Sequence, residues 1–473
     1  MWLRNFINEL AAGFHCSLRS FLAGAVIFGW LTMPVVAQTL SAADRAALEA
    51  RKNELFQQTL SRPADLDVIF DFADVSARLG DNEAAVTALE RMLLFNPNLT
   101  RVQLELGVLY FRMQSFELAR SYFEKALAAN PPPEVKTRVD QYLREMTVVD
   151  SRDRITGYVF FGAQHQTDAN AAPGSPLIHS PVGDALLSSQ FVKQADTNIF
   201  AAGSALYTYD LRNQDRDAIE VLGSGFANHY FKVSRLDLTL AELDIGPRIN
   251  FPELSGAVKS ASVKPYLILN NVTLGGNEYF NTYGGGGEAQ FSLWDDLSLR
   301  GFFEYRVKRF TNAPDRPLST GLDGNDKLVS LQLTKPVPII ADSQLTVQFD
   351  FLDQSTQLAY YSNKAYGGTV AYRVRYDDPT GNFNLPWETT LFGGRIWSNY
   401  AAPDPCCNTS GSSTFFSPSS RLDRHWRFGA THNIRVKNNV DIILQFQRDI
   451  VSSNLPLYAY TSNAVLVGTQ VRF

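Results

Sequence analysis

The stretch NAVLVGTQVRF, residues 463–473, closes the chain on a strict period-2 pattern. One side of this pattern consists of Val465, Val467, Thr469, Val471 and Phe473. The other side consists of Leu466, Gly468, Gln470 and Arg472. Such alternation predicts a β-strand with two different faces. Because chain ends usually fray, a strand that runs to the last residue predicts a sheet that needs this strand for its closure.

The same alternation recurs from about residue 150 to the end, as in LSLRGFFEYRVKR (297–309) and KAYGGTVAYRVRYD (364–377). About fourteen such segments of roughly ten residues are separated by Gly, Asn, Asp and Pro. Strands of about 9–11 residues suit a bilayer crossing, whereas strands of globular proteins average about 5–6. We therefore expect an antiparallel transmembrane β-barrel of about fourteen strands, whose last strand pairs with its first.

The charged face of this barrel would line a wet lumen. The predicted lumen residues are Arg300, Glu304, Arg306, Lys308, Gln348, Asp350, Arg373, Arg375, Gln445 and Asp449. Composition agrees with one lipid face and one wet face, since only 45% of residues are apolar although the chain has 19 Tyr and 32 Phe. The net charge of −5 gives no sign of a nucleic-acid partner.

A helical repeat precedes the strands, at about residues 41–148. Pro63, Pro97 and Pro131 recur at 34-residue intervals, the period of the tetratricopeptide repeat. The segment LELGVLYFRMQSFELARSYFEKALAANP (104–131) has the small, aromatic and Pro residues that this repeat needs for close packing of paired helices. Residues 66–98 form a looser copy, and one flanking helix on each side would cap the array.

Arrays of this kind bind peptides or proteins on a concave face. The repeat register places on that face Phe70, Asp74, Arg78, Arg101, Leu104, Val108, Phe111 and Arg112. Each of these residues could instead be an ordinary solvated or capping residue.

The N-terminus has the parts of a secretory signal peptide. Arg4 and Arg19 precede the apolar run FLAGAVIFGWLTM (21–33), and a small-residue cleavage site lies before Gln38. An uncleaved anchor is the alternative. We expect a signal peptide over 1–37, a periplasmic repeat domain over 38–150 and an outer-membrane barrel over 151–473.

Three cysteines are present, and Cys16 would leave with the signal peptide. The adjacent Cys406 and Cys407 could form a vicinal bridge, pair with another chain, or be plain loop residues.

The sequence has none of the common catalytic signatures, including G-x-S-x-G, H-E-x-x-H, the P-loop and the dinucleotide-binding fingerprint. The run GGGGE (284–288) lacks the Lys of a phosphate-binding loop and is typical of a flexible turn or a thin strand wall. The histidines are scattered without metal-ligand spacing. We therefore expect no enzyme activity, no metal and no cofactor.

Three features together resemble the surface lipoprotein assembly modulators: a signal peptide, a short repeat array ending in ANPPPEVKTRVDQYL (129–143), and a barrel opening with ITGYVFFGAQHQTDANAAP (155–173). The segments SSRLDRHWRFGATHNI (419–434) and SNLPLYAYTSNAVLVGTQVRF (453–473) look like the last hairpins of that family. The resemblance implies a periplasmic helical domain that handles an unfolded client lipoprotein and a barrel that helps the client cross the outer membrane. The terminal Phe473 is also the signal that the outer-membrane assembly machinery usually reads, so we expect that machinery as a partner.

Two other functions remain open. A polysaccharide export porin also joins tetratricopeptide repeats to a barrel, although with longer arrays. An outer-membrane enzyme or a passive pore could use the repeats as an assembly scaffold.

Overall fold

The computed structural model describes residues 42–113, 115–129, 131–149, 152–180, 183–252, 254, 256–337, 342–403 and 420–473. The predicted signal peptide and the pair Cys406 and Cys407 lie outside these residues. The chain divides into two compact units, with the boundary between Ser151 and Arg152.

In the first unit, the regular elements of the described residues are all helices. Its helices are α1 (Ala42–Ser61), α2 (Leu66–Arg78), α3 (Asn82–Phe95), α4 (Thr100–Arg112), α5 (Phe116–Ala128) and α6 (Pro133–Val149). Aspartates cap the N-termini of α2 and α3. Asp65 accepts a hydrogen bond from the amide of Val68, and Asp81 accepts one from the amide of Ala84. The pairs α2–α3 and α4–α5 are the two predicted repeats, with α1 and α6 as the flanking helices.

Small residues set the spacing of these helices. Ala85 and Ala119 are fully buried where their helices meet the neighbouring helix. Phe123 of α5 packs directly over Gly107 of α4, where there is no side chain to hold it away. The small and aromatic positions of the 34-residue period therefore form the core of the second repeat, whereas the buried residues of the first are small or aliphatic, such as Ala85 and Leu89.

The second unit is a β-barrel, and the sequence-based prediction of its class is confirmed. Its strands are β1 (Asp153–Gln166), β4 (Asp196–Asp210), β5 (Ala218–Tyr230), β6 (Leu238–Phe251), β7 (Val258–Leu274), β8 (Asn277–Leu293), β9 (Ser298–Phe310), β10 (Gly324–Pro336), β11 (Ser343–Thr356), β12 (Asn363–Tyr376), β13 (Trp387–Tyr400), β14 (Leu422–Lys437), β15 (Val440–Ser453) and β16 (Tyr460–Arg472). A separate hairpin, β2 (Leu177–Ser180) with β3 (Gly183–Leu186), lies in the first long connection.

Fourteen of the described strands close the barrel, each antiparallel to its neighbours. Closure joins β1 to β16, with Tyr158 opposite Arg472 and Gln166 opposite Ala464. The amide of Phe473 donates to the carbonyl of Gly157 at 3.0 Å, and the amide of Gly157 donates back at 2.9 Å. The expectation that the last strand completes the sheet is confirmed.

Connections of unequal length define the two ends of the barrel. The long-loop end holds the connections 167–195, 311–323 and 401–421, whereas a two-residue turn at 438–439 joins β14 to β15 at the other end. The chain enters β1 and finishes β16 at this short-turn end.

Candidate functional site: the inward barrel face and the helical repeats

The two faces of the barrel wall differ sharply in exposure and chemistry. On β9, Glu304 and Arg306 are 6% and 7% exposed, whereas the alternating residues Phe303 and Tyr305 are 49% and 40% exposed. Because the sheet is closed, the buried charged face is the inward face and the exposed apolar face is the outward face. The strand register then assigns every residue of the wall to one of the two.

A chain of ion pairs crosses five neighbouring strands on the inward face. Glu220 of β5 accepts from Arg248 of β6 at 2.7 Å and from Lys264 of β7 at 2.9 Å. Glu288 of β8 accepts from Arg248 at 3.4 Å and from Arg300 of β9 at 2.6 Å. Each carboxylate is shared by two bases, so the desolvated charges compensate one another along the wall.

A second group lies on the same wall. Arg306 contacts Glu242 of β6 at 2.7 Å and Glu304 at 3.0 Å. The Tyr266 hydroxyl donates to Glu304 at 2.9 Å. These contacts join β6, β7 and β9, which do not all neighbour one another, so they brace the barrel across strands.

Shared carboxylates recur on the remaining wall. Glu388 lies between Arg373 at 3.4 Å and Arg375 at 3.7 Å. Asp441 lies between Arg435 at 3.1 Å and Arg472 at 2.8 Å. Asp449 lies between His425 at 2.6 Å and Arg427 at 2.7 Å. The polar lining therefore carries acids and bases in close balance.

An apolar layer occupies the inward face toward the long-loop end. Its members share one buried cluster and include Phe200, Phe226, Leu240, Val272, Phe280 and Phe310. Leu322 and Tyr361 reach this cluster from the loops β9–β10 and β11–β12. Arg316 of the β9–β10 loop is fully buried. Its guanidinium donates to the carbonyl of Leu274 at 2.7 Å and lies 5.3 Å from the Tyr279 ring centre. These loop residues cover part of the mouth.

The predicted lumen residues all fall on the inward face by register. Ion pairs involve Arg300, Glu304, Arg306, Lys308, Arg373, Arg375 and Asp449. Asp350 accepts hydrogen bonds from Gln348 at 2.8 Å and from Ser330 at 2.7 Å. Gln445 lies opposite Thr431 and Leu466. Their contact with a transported molecule stays a prediction.

Sequence reasoning missed the inward partners in β5 to β8, including Glu220, Arg248, Lys264 and Glu288. In β5 the outward positions include Gly223 and Gly225, as the stretch VLGSGFA (221–227) shows, so the apolar alternation is weak in that strand. The alternating positions of the charged residues, considered without the apolar ones, would have assigned these four side chains to the inward face.

In the helical unit, the predicted partner-binding residues divide into two groups. Arg101 lies with its guanidinium 4.6 Å from the Phe70 ring centre, and Arg78 pairs with Asp74 at 2.8 Å. Arg112 is exposed, and Leu104 is half-buried. Residues of α2 and α4 thus form an accessible surface with both charge and an aromatic ring.

Val108 and Phe111 belong to the second group, because they pack against other helices. Val108 is 8% exposed and shares a cluster with Phe123 and Val139. The Phe111 ring lies 5.3 Å from that of Tyr142 in α6. Both residues therefore contribute to the packing of α6 against the array.

A polar contact links the two repeats beside this surface. Glu90 of α3 accepts hydrogen bonds from Tyr110 at 2.7 Å and from Tyr122 at 3.2 Å, and the two rings stack at 5.6 Å. Burial, followed by the hydrogen bond to Glu90, raises the pKa of Tyr110 above its usual value. The hydroxyl therefore stays a donor at physiological pH.

None of the described helices is long and apolar enough to cross a membrane. No cluster of His, Cys, Asp and Glu suited to a metal ion occurs within the described ranges.

One family model matches the helical unit. The tetratricopeptide repeat family matches residues 100–133, which contain α4 and α5. No curated protein matches the chain.

Several solved structures match parts of the chain at low identity. The MamA protein is 16% identical with a TM-score of 0.18, and the match covers 21% of this chain and 62% of MamA. The outer membrane protein opdK from Pseudomonas aeruginosa is 7% identical with a TM-score of 0.31, covering 67% of this chain and 98% of that one. The outer membrane channel DcaP of Acinetobacter baumannii is 8% identical with a TM-score of 0.34, covering 68% and 97%.

Proposed function

We propose that this chain is a bacterial outer-membrane transport protein that receives a client polypeptide on its helical repeats and helps that client across the membrane. The observation that carries the proposal is the opposite chemistry of the two barrel faces, joined in one chain to a tetratricopeptide unit. The barrel would lie in the outer membrane, and the helical unit would lie in the periplasm.

The outward face supports the membrane location. Large apolar side chains are exposed on strands all around the barrel, among them Ile155, Leu267, Phe303, Phe349, Leu391 and Val465. Tyr209, Phe251, Tyr376 and Trp387 take outward positions at the short-turn end. An apolar band with aromatic residues at its rim is what a bilayer-spanning barrel needs. In water the same surface would favour aggregation.

The inward face supports a transport role. About eight strands enclose just enough space for side chains, so a fourteen-stranded wall leaves additional room. The paired acids and bases lining this room would present polar contacts of both signs to a passing chain. The covered mouth near Arg316 and Tyr361 would limit open passage in the resting state.

The helical unit supports a polypeptide client. The exposed surface with Phe70, Arg78, Arg101 and Arg112 offers an aromatic ring and several cations to an extended peptide. The resemblance to the surface lipoprotein assembly modulators makes a surface lipoprotein the proposed client. We propose no catalytic role, since client binding and passage require neither a nucleophile nor a cofactor.

A polysaccharide remains the second candidate cargo. Half-buried aromatic rings at inward positions, including Phe302 and Phe392, could stack against sugar rings. The balanced charges of the wall favour the polypeptide, because a path for charged sugars would carry an excess of one sign.

Two measurements test the proposal. Boiled and unboiled protein from outer-membrane fractions should migrate differently on a detergent gel, because a closed barrel resists unfolding until it is heated. Absence of a shift, together with recovery in the soluble periplasmic fraction, would refute the transport role.

The client is tested with the full-length protein in detergent. It should bind an unfolded, lipid-modified lipoprotein more tightly than the folded form of the same lipoprotein, and Arg101→Ala with Arg112→Ala should weaken that binding. Arg138→Ala, an exposed change on α6, is the matched control. Unchanged binding by the double variant would refute the assigned surface, and block of ion conductance by soluble polysaccharide would favour the second candidate.

A further inference from the structure

Three arginines lie on the outward face of neighbouring strands near the long-loop end. They are Arg395 of β13, Arg424 of β14 and Arg448 of β15, and they surround Trp426. Arg395 lies directly opposite Trp426, Arg424 lies opposite Trp397, and Arg448 lies opposite Phe428. We call these residues the arginine patch.

Within the described residues, no acidic side chain pairs with the patch. The outward positions of the described strands β12 to β16 contain no Asp or Glu. In the part of the chain that the structure describes, the ion pairs include none with Arg395, Arg424 or Arg448. Among the described residues, Arg448 donates to the side-chain oxygen of Asn463 at the long distance of 3.5 Å. The surface therefore complements an anion.

Arg395 is held in a defined position. Its guanidinium lies 4.6 Å from the ring centre of Trp397 and 4.5 Å from that of Trp426. Its Nε is buried and has no hydrogen-bond partner in the described residues. Stacking on two indoles orients the guanidinium while leaving its edge free to donate hydrogen bonds to an acceptor with several oxygens.

Space for a ligand lies beside this side chain. Gly368 is directly opposite Arg395 on β12, and Gly393 is the preceding outward residue on β13. A β-carbon at Gly393 would meet its nearest neighbour, in Phe428, only at 3.8 Å. The outward surface is therefore shallow on the side of Arg395 that faces the middle of the barrel wall, where an acyl chain could lie.

The position along the wall suits a headgroup. Arg395 is five residues from Tyr400, where β13 ends at the long-loop end. Its outward neighbours beyond that level include Asn399 and Ser452, which are polar. An arginine on the lipid face is costly at the bilayer midplane and nearly neutral near the interface, where its long side chain can reach the headgroups.

We propose that the arginine patch binds the phosphate-bearing headgroup of an anionic lipid in the leaflet at the long-loop end. Arg395 and Arg424 donate hydrogen bonds to the phosphate oxygens, and Arg448 adds positive charge. The lipid chains follow the shallow surface past Gly393. This inference rests on the proposed insertion of the barrel into a membrane.

The test uses the full-length protein in phosphatidylcholine vesicles. It measures the fluorescence of the tryptophans, two of which, Trp397 and Trp426, lie beside Arg395. Part of the lipid is replaced by dibrominated phosphatidylglycerol or, at the same mole fraction, by dibrominated phosphatidylcholine. Bromine quenches tryptophans that it touches, so the first lipid should quench more strongly. Each arginine near the surface should raise the relative association of the anionic lipid by roughly fivefold.

The variant with Arg395→Gln and Arg424→Gln should lose this excess quenching. Arg309→Gln is the matched control, since Arg309 is an exposed outward arginine at the same end of the barrel but on β9. Equal quenching of the unchanged protein by both brominated lipids, or an excess that survives in the double variant, would overturn the lipid site while leaving the membrane barrel intact. No quenching by either lipid would instead overturn the membrane insertion, and the lipid site with it.

Discussion

Gly107 and Phe123 lie so close that a β-carbon on residue 107 would be 2.6 Å from two carbons of the Phe123 ring. This contact joins α4 and α5 inside the second repeat. Gly107→Val should therefore destabilise the helical unit by about 1–3 kcal/mol, because the ring cannot retreat within a packed core. Thermal unfolding of the full-length protein followed by circular dichroism at 222 nm would measure it.

Glu124→Val is the control for this change, since Glu124 is exposed on the same helix as Phe123. The packing explanation is wrong if both variants melt at the same temperature as the unchanged protein.

Glu288 supports both Arg248 and Arg300 in the inward wall. Glu288→Gln should lower the temperature at which the barrel loses its compact migration on a detergent gel. Removing one member of a buried ion pair typically costs about 3–5 kcal/mol, since it leaves the partner charge uncompensated.

A double variant that also removes the Arg248 charge tests whether the two side chains act together. Glu288→Gln combined with Arg248→Met should be less unstable than the sum of the two single changes, because they share one network. Strict additivity would show that the two side chains act independently.

Asp168 lies in the first long loop, outside the strands. Burial raises the pKa of its carboxyl from 3.8 to about 7, and Lys193 with the amide of Ala172 only partly opposes this effect. The folded loop therefore binds the proton more tightly than the unfolded chain. Its stability should be greatest below about pH 4 and should fall as the pH rises from about 4 to about 7.

Hydrogen exchange of the 167–195 connection across this pH range, corrected for the intrinsic exchange rate, would measure the effect. Asp168→Asn should flatten the profile while keeping an oxygen that can accept from Ala172. A variant profile as steep as the original one would exclude Asp168 as the titrating group.

Arg316 attaches the β9–β10 loop to the inside of the mouth. Arg316→Ala removes the hydrogen bond to the Leu274 carbonyl and the contact with the Tyr279 ring. The loop should then become more mobile, and the ion conductance of the protein in a planar bilayer should rise. Thr320→Ala is the control, since Thr320 is an exposed residue of the same loop. Equal conductance of both variants and the unchanged protein would show that this loop does not limit passage.

Much of the fold was predictable because its patterns are local. The interval between Pro97 and Pro131 identified a repeat, and the parity of residues in 297–309 separated the two faces of β9. The run Gly284–Gly287 fits the same logic, since it lies within β8 as a thin wall, with Gly286 beside the Tyr266 ring.

The contacts between strands were not predictable in the same way. The pairing of Glu220 with Arg248 depends on the register of β5 against β6, which one strand alone does not contain. The arginine patch was missed for a second reason. Arg395 and Trp397 share one face of β13, so this face combines charged and apolar residues. Only the register with the neighbouring strands shows that Arg395 faces outward.

The pairing of β1 with β16 has a consequence for the order of events during assembly. Val159 and Val471 are partners across more than 300 residues of chain, so the first strand has nothing to pair with on that side until the last one arrives. Before that moment the sheet has two open edges that could join other chains. Contacts between such distant segments also form slowly. The barrel can therefore close only once both of these strands have been made, and until then its two open edges are exposed to pairing with other chains.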